Sequence, residues 1–596
     1  MSTHILGINC AYHESSVALV NERGIIAAIE EERINRIKHA KRSLITNGDE
    51  LPLGALNYCL KIGNVALGQI DCISFSFNPE KRLQSNVRLS DAVIEGNWGT
   101  QEGEDLFYQG LMSIPARFRD MGFRGEFVFV DHCMAHAASA FFPSSFQDSA
   151  IICVDGIGEI ESTTLAVGAH KKIRVMEQID YPNSLGFLWE KVAGFLGMTE
   201  YDACKVMSLA SFGDAERYYR EYRSFVDVTR EGFRVDGDIA RFRADDFSPL
   251  ERLFGIAKID DTLPVSRDHM DVAAGLQRVT TEILLNLANR AYEITGSKNL
   301  CLAGGVALNC VANTAMFERS RFERLFVQPA ANDAGTSLGA ALHVYHSQFR
   351  VEAPERFQMR DAYLGPEFGP EEIVEAMNEL GAVYSLHASV TEQVATLLSQ
   401  GYVVAWFQGR MEFGPRALGN RSLLADPRDP NMVARINRLV KHREDYRPFC
   451  PSVLAEDAKE WFVIGKDAAS AQFMLMAYPV QQEKRALIPS VLHVDGTSRI
   501  QVVDKDVNRG FHALLSSFKQ KTGVPLLMNT SFNDREPIVC TPKDAIKTFL
   551  STGIDFLAIG NFLLDKKAQP ATAGACVVSQ SHLAADSAVR SANALA

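Results

Sequence analysis

The sequence predicts a two-domain α/β protein, and three observations carry that expectation. A strand-turn-strand unit opens each of two sheets, apolar strands alternate with amphipathic or Ala-rich helical stretches, and a segment broken by prolines near residues 351–370 separates two such regions. At 596 residues the chain is about three to four times an average domain, so at least two packed cores are expected. Hydrophobic residues make up 46% and charged residues 22%, which excludes a disordered or fibrous chain.

The elements follow in order. HILGIN and VALV flank the short polar connection CAYHESS, and Glu22-Arg23-Gly24 then turns the chain into GIIAAIEEER, a hairpin that opens a sheet. LGALNYCLKIG is amphipathic, and FRGEFVFVDHCMAHAASAFF joins a strand to an Ala-rich helix. SAIICVD is a buried strand ending in the turn GIGE, and ESTTLAVGAHKKIRVMEQI supplies two antiparallel strands, so the opening unit recurs. Val272, Leu276, Val279, Ile283, Leu284 and Leu287 form one face of a helix over 270–295, and NLCLAGGVALN runs from a buried strand into a glycine turn. The expected boundaries are 1–355 for the first domain and 356–570 for the second. Residues 571–596, rich in Ala and Ser, have little to bury and are expected to be a disordered tail.

Charge and targeting narrow the partners. With 61 Lys and Arg against 73 Asp and Glu the net charge is −12, a poor match for a nucleic-acid backbone or an anionic membrane surface. Met1–Asn9 enters a strand without a basic or apolar leader and no long apolar run follows, so a cytoplasmic chain with no membrane partner is expected. The 11 cysteines are scattered without a C-x-x-C pair, which suggests neither a disulfide framework nor a cysteine zinc site.

Several residues can carry chemistry. His132 and His136 stand four apart, which on a helix puts both imidazoles on one face; taken alone, such a pair more often reads as two separately satisfied histidines. Position 133 is Cys, so the H-E-x-x-H of zinc peptidases is absent. Asp155, at the end of a strand, and Asp333, in a loop entering a helix, complete a His, His, Asp, Asp set suited to Fe(II), Mn(II) or Zn(II); each aspartate reads equally as a cap or turn residue. DGIGE and LAGGVALN place glycines after buried strands, as phosphate-cradling turns do and as plain tight turns also do. Between Arg410 and Arg447 nine Lys or Arg face five Asp or Glu, a net of +4. There Arg416, Arg421, Lys441, Arg443 and Arg447 stand amid Gly, Pro and aromatic residues and suit phosphate binding, while Arg435 and Arg438 read as a solvated helix face. Asn529, Thr530, Ser531 and Asn533 end an apolar strand with small polar groups that suit a carbamoyl amide or a nucleotide, or form a plain polar turn.

Taken together, HES at residue 13, HCMAHAAS, DGIGE, LAGGVALN, NDAGTSLGA, FGPRALGNRS, HREDYRPFCPS and MNTSFN resemble the NodU/CmcH O-carbamoyltransferases over nearly the whole chain. The resemblance implies an N-terminal actin-like ATPase fold, similar to the ATPase of tRNA threonylcarbamoylation, and a YrdC-like C-terminal domain. It implies that carbamoyl phosphate and ATP give carbamoyl-adenylate, whose carbamoyl group passes to a hydroxyl of a small natural product such as an antibiotic. It also implies that His132, His136, Asp155 and Asp333 hold Fe(II), or Mn or Zn, and that Gly304, Gly305 and Asn309 contact nucleotide. His13 falls near the transfer centre. Arg416, Lys441, Arg447, Asn529 and Ser531, with Arg499, would hold carbamoyl phosphate and the ATP phosphates beside Mg²⁺. The competing readings are a tRNA threonylcarbamoylation-type enzyme, which the acidic chain suits badly, and an actin-like nucleotide switch, which leaves the basic cluster without a role. The acceptor and the oligomeric state are not specified by these motifs.

Overall fold

The computed structural model describes residues 3–85, 98–242, 244–260, 264–348, 357–444 and 446–570. The expected border at 355/356 and the tail 571–596 lie outside the described residues.

The N-terminal half contains two five-stranded sheets built to one plan. In the first, β1 (Ile5–Asn9), β2 (Ser16–Asn21) and β3 (Gly24–Glu30) form an antiparallel meander, and β4 (Cys72–Phe75) and β5 (Glu126–Phe129) add parallel to β1, giving the order β3-β2-β1-β4-β5. The second repeats this. β6 (Asp148–Val154), β7 (Glu161–Ala169) and β8 (Lys172–Asp180) are the meander, β9 (Val226–Thr229) and β10 (Gly232–Val235) form a separate hairpin, and β11 (Asn299–Ala303) and β12 (Arg324–Val327) add parallel to β6. This duplicated arrangement is that of the actin-like fold, and its two meanders are the two strand-turn-strand units legible in the sequence. Each long connection between parallel strands holds helices, because a parallel crossover must cover the face it spans.

Among those helices are α1 (Leu53–Gly63), α2 (Pro79–Gln84), α3 (His132–Phe141), α4 (Leu185–Phe195), α5 (Arg267–Thr295), α6 (Cys310–Arg319) and α7 (Ala334–Ser347). The 29-residue α5 starts at Ser266, whose hydroxyl accepts the His269 N–H, and stops at Gly296 in a left-handed conformation, φ +66°. Helices α3 and α7 pack on each other between the two sheets, α7 against β1 and β2 and α3 against β6 and β11. Their small residues permit this. A Cβ on Gly339 of α7 would lie 1.7 Å from the Ala135 carbonyl oxygen of α3, and one on Gly7 of β1 would lie 1.8 Å from the Ser337 carbonyl oxygen of α7. Both clashes are with backbone, which cannot swing aside. Gly339→Val is therefore expected to force the two helices apart, to cost about 3 kcal/mol, and to lower the thermal midpoint of the full chain; an unchanged midpoint would contradict this packing.

The C-terminal domain is a mixed eight-stranded sheet of order β13-β22-β21-β14-β15-β20-β16-β19. Its strands are β13 (Ser385–Leu386), β14 (Val404–Phe407), β15 (Arg421–Ala425), β16 (Cys450–Leu454), β19 (Gln501–Val503), β20 (Leu526–Ser531), β21 (Phe556–Ile559) and β22 (Phe562–Asp565), and β17 (Ala477–Pro479) pairs with β18 (Thr497–Arg499) apart from it. Helix α8 (Met432–Ile436) continues as a single π-helical turn over Asn437–Lys441, a distortion that frequently marks functional positions. The halves are joined by polar contacts. Arg33 donates to the Gly414 carbonyl at 2.9 Å while the Gly414 N–H donates to Glu30 at 2.8 Å, and the half-buried Lys466 ammonium donates to the carbonyls of Phe317 in the last turn of α6 and of Ser320 and Phe322 just after it. Among the described residues no helix is long and apolar enough to cross a membrane.

A cavity between a metal-ligand cluster and a cationic pocket

One cavity of about 1170 Å³ runs between the two halves. Asp155, Asp333 and His13 line one end, and Arg416, Lys441, Arg443, Arg447, Arg499, Asn529 and Ser531 line the other.

At the first end α3 presents His132 and His136 on one face, both buried, and the neighbouring loops bring the two aspartates to them. The Nε2 atoms of the two imidazoles lie 3.1 Å apart. Asp155 Oδ2 is 2.9 Å from His136 Nε2 and 3.3 Å from His132 Nε2, and Asp333 Oδ1 is 3.6 Å from each. Donor atoms each about 2.1 Å from a common ion stand roughly 3.0–3.5 Å apart, so the set fits a divalent first-row metal. Asp333 occupies the N-cap position of α7, yet its side chain makes no capping bond and is turned to the cluster instead. The Gly305 N–H donates to Asp155 Oδ1 at 3.1 Å, leaving Oδ2 for the imidazoles. His132 Nδ1 lies 3.3 Å from the Ser76 carbonyl, which orients the ring with Nε2 inward. Burial opposes the imidazolium forms, but Asp333 and Asp155 outweigh it and raise both histidines above their ordinary range; burial and Asp155 act against ionised Asp333, yet His132 and His13 hold it at about 2. A buried and a half-buried carboxylate with two buried imidazoles make a site whose charge a divalent cation balances.

His13 stands beside this cluster, its Nδ1 4.0 Å from Asp333 Oδ2 and its ring edge-on to Tyr201. Gly304 and Gly305 follow β11 as expected. Gly304 takes φ +88° with a backbone approach that would put a Cβ 2.2 Å from the Val154 carbonyl, so its glycine is required by packing whatever else it contacts. Asn309 caps α6 through the Ala312 N–H and exchanges hydrogen bonds with Gln277, with its side chain at the cavity wall.

At the other end the π-turn points Lys441 at the end of β20, where its ammonium donates to the carbonyl oxygens of Ser531 (2.6 Å) and Asn533 (2.8 Å) and to Asn533 Oδ1 (2.7 Å). All are neutral oxygens. Among the described residues no carboxylate lies within ion-pair distance of Arg416, Lys441, Arg443 or Arg499, and Arg416 Nε and one Arg443 amine nitrogen are buried without a partner. Burial and then Arg499 push the Arg416 guanidinium down to about 10, burial and Arg447 do the same to Arg443, and burial, Arg443 and Arg447 hold Lys441 well below the lysine range. Unpaired, mutually repelling cations around a cavity are complementary to a polyanion. Asn529, opposite Cys450 in the sheet, donates to Ser452 Oγ at 2.9 Å and leaves its buried Oδ1 without a partner at the cavity wall.

Two sequence expectations change. Arg421 is not an anion ligand: fully buried, it donates to the carbonyls of Gln408, Gly409, Asn420 and Pro366 and lies over the Phe407 ring at 3.7 Å, tying strand ends together. Arg435 is not simply solvated but paired to Asp555 at 2.7 Å. Sequence reasoning also passed over Glu14 and His39. Their side chains meet at 2.6 Å on the cavity wall, with the His39 ring stacked on Tyr201; only the place of Glu14 beside His13 in the HES motif signalled either.

A duplicated actin-like half shares a cavity with an α/β half, with four residues that could hold a metal at one end and a cluster of cations at the other, an arrangement suited to a group-transfer enzyme. The carbamoyltransferase N-terminus model matches residues 4–342 and the carbamoyltransferase C-terminus model residues 395–566, and the chain belongs to that family, which the motif resemblance implied, and is a carbamoyltransferase. It is 37% identical to the nodulation protein NolNO of Sinorhizobium fredii over 94% of this chain and 80% of that protein, and 39% identical to the nodulation protein NolO of Bradyrhizobium diazoefficiens over 74% and 79%. It is also 36% identical to the uncharacterised protein sll1178 of Synechocystis over 95% and 97%.

Proposed function

We propose that the chain makes carbamoyl-adenylate from carbamoyl phosphate and ATP at the cationic end of the cavity and passes the carbamoyl group to a hydroxyl of a small natural product at the metal-ligand end. One observation carries this: the unpaired cations and the His, His, Asp, Asp cluster open into the same cavity. In the YrdC-like domain, hydrolysis of carbamoyl phosphate gives carbamate and phosphate. A carbamate oxygen attacks the α-phosphorus of ATP, and pyrophosphate leaves with its bridging oxygen. Arg416, Lys441, Arg443, Arg447 and Arg499 offset the charge that accumulates on the leaving pyrophosphate, with Mg²⁺ accompanying ATP, while Asn529 and Ser531 present polar groups to the carbamoyl moiety.

At the other end the acceptor oxygen attacks the carbamoyl carbon, AMP leaves, and the hydroxyl proton passes to a base. His13, near Asp333 and reaching the cavity, is placed to take it. A divalent ion, Fe(II), Mn(II) or Zn(II), held by His132, His136, Asp155 and Asp333 would supply Lewis acidity to the carbamoyl carbonyl. Gly305 and Asn309 at the wall would contact the adenylate. Phe187, Trp189, Met198, Tyr201, Met207 and Phe247 line the cavity from the stretch between β8 and α5 and supply an apolar wall for the acceptor. A shared cavity keeps a hydrolysis-prone intermediate from bulk water.

The test needs no acceptor. Protein incubated with ATP, Mg²⁺ and carbamoyl phosphate should release pyrophosphate and yield carbamoyl-adenylate by mass spectrometry, and neither should form when carbamoyl phosphate is left out. Absence of both products from metal-loaded protein would refute adenylation before acceptor binding.

A further inference from the structure

The turn DGIGE after β6 suggested a phosphate cradle from its glycines, and its glutamate had no role. In the structure Glu159 is fully buried and points into the protein. Its carboxylate accepts the His132 backbone N–H, at 2.9 Å to Oε1 and 3.1 Å to Oε2, and the Asn78 N–H at 2.8 Å. Its own carbonyl accepts Arg82 of α2 at 2.8 Å. His132 is the first residue of α3, where the helix leaves N–H groups without partners inside the helix and where the dipole favours a carboxylate. The residue at the N-cap, Asp131, does not cap: its carboxylate accepts instead from Asn78 Nδ2 and the Lys81 ammonium, each at 2.9 Å. The same turn touches His132 a second time, since a Cβ on Gly158 would lie 3.3 Å from the His132 side chain.

We propose that Glu159 is a positioning residue of the metal centre. It locks the N-terminus of α3, and with it His132 and His136, to the loop that carries Asp155 four residues earlier, so that ligands from two elements hold one spacing. This rests on the metal reading above. The separation matters because donor atoms must sit within a few tenths of an ångström of their places, and a helix end held only by its packing can shift by more than that.

The experiment titrates Co(II) into chelator-stripped full-length protein, read by the d–d absorption of the bound ion and by equilibrium dialysis. Wild-type protein should bind Co(II). Glu159→Ala should bind it about ten- to a hundredfold more weakly with a changed spectrum, as loss of an outer partner of a metal ligand does. Glu159→Gln, which keeps one acceptor oxygen but loses the charge, should fall between, about two- to fivefold weaker. Alanine protein with wild-type affinity and spectrum would overturn the proposal. If the alanine variant does not melt cooperatively, the glutamine variant decides, and unchanged affinity there overturns it. Wild-type protein that binds no Co(II) would instead refute the metal reading itself and this proposal with it.

Discussion

Lys441→Ala is expected to lower pyrophosphate release from ATP and carbamoyl phosphate by about 10²–10³-fold, the usual effect of removing one preorganised donor from a site where charge develops. Lys441 is buried, its ammonium is pinned by the end of β20, and it has Arg443 and Arg447 for neighbours. The alanine variant loses a charge that the cavity holds unpaired, while the four side chains proposed to hold the metal are untouched. Metal content should therefore stay at the wild-type level. The pH dependence follows from the same geometry. Because burial and the two arginines hold the Lys441 ammonium well below its ordinary 10.5, the cation is present at low pH and lost as pH rises through that depressed value. kcat/KM for pyrophosphate release, which reports the free enzyme, should accordingly fall on the alkaline side at a lower pH than an ordinary lysine allows. A wild-type rate in Lys441→Ala would remove the residue from the adenylation site.

His136→Ala has the second large effect and the opposite pattern. Its Nε2 lies within 3.6 Å of three other donor atoms of the cluster, and deleting it leaves Asp155 and Asp333 facing His132 alone. Metal affinity is expected to fall at least ~100-fold, beyond the cost of losing an outer partner. Carbamoyl transfer should fall on the order of 10³-fold, because several kcal/mol of charge stabilisation are lost. Pyrophosphate release should continue, since no cation of the far pocket is touched. Loss of pyrophosphate release together with metal would refute the division of the two half-reactions between the cavity ends.

The two variants also locate what is local and what is not. The strands, the two meanders and α3 were legible because each is written in a short period: alternating or continuous apolar runs such as SAIICVD, and the Ala-rich helix that sets His132 and His136 four apart. Glycine turns after β6 and β11 were legible for the same reason. Their use was not. Gly304 is needed for its approach to Val154, and Glu159 points inward to α3, a partner 27 residues away that no local pattern names.

The basic segment shows the limit most directly. Nothing in FGPRALGNRS distinguishes Arg416 from Arg421, five residues apart amid the same small residues. In the folded chain Arg421 donates to three carbonyls at the facing ends of β14 and β15 and to that of Pro366, whereas Arg416 lines the cavity beside Arg499. Along the chain alone the N-terminal strand-turn-strand units, the Ala-rich helix, the family motifs and the presence of both imidazole and carboxylate donors could be read. Only tertiary structure decided which of those groups meet. Asp155 and Asp333 reach His132 and His136 because α3 and α7 pack through Gly339 between two sheets, and among the described residues no carboxylate lies within ion-pair distance of Arg416, Lys441, Arg443 or Arg499. Local periodicity is set by bonds between near neighbours, but a site is set by which surfaces are buried against each other, and that depends on the whole core at once.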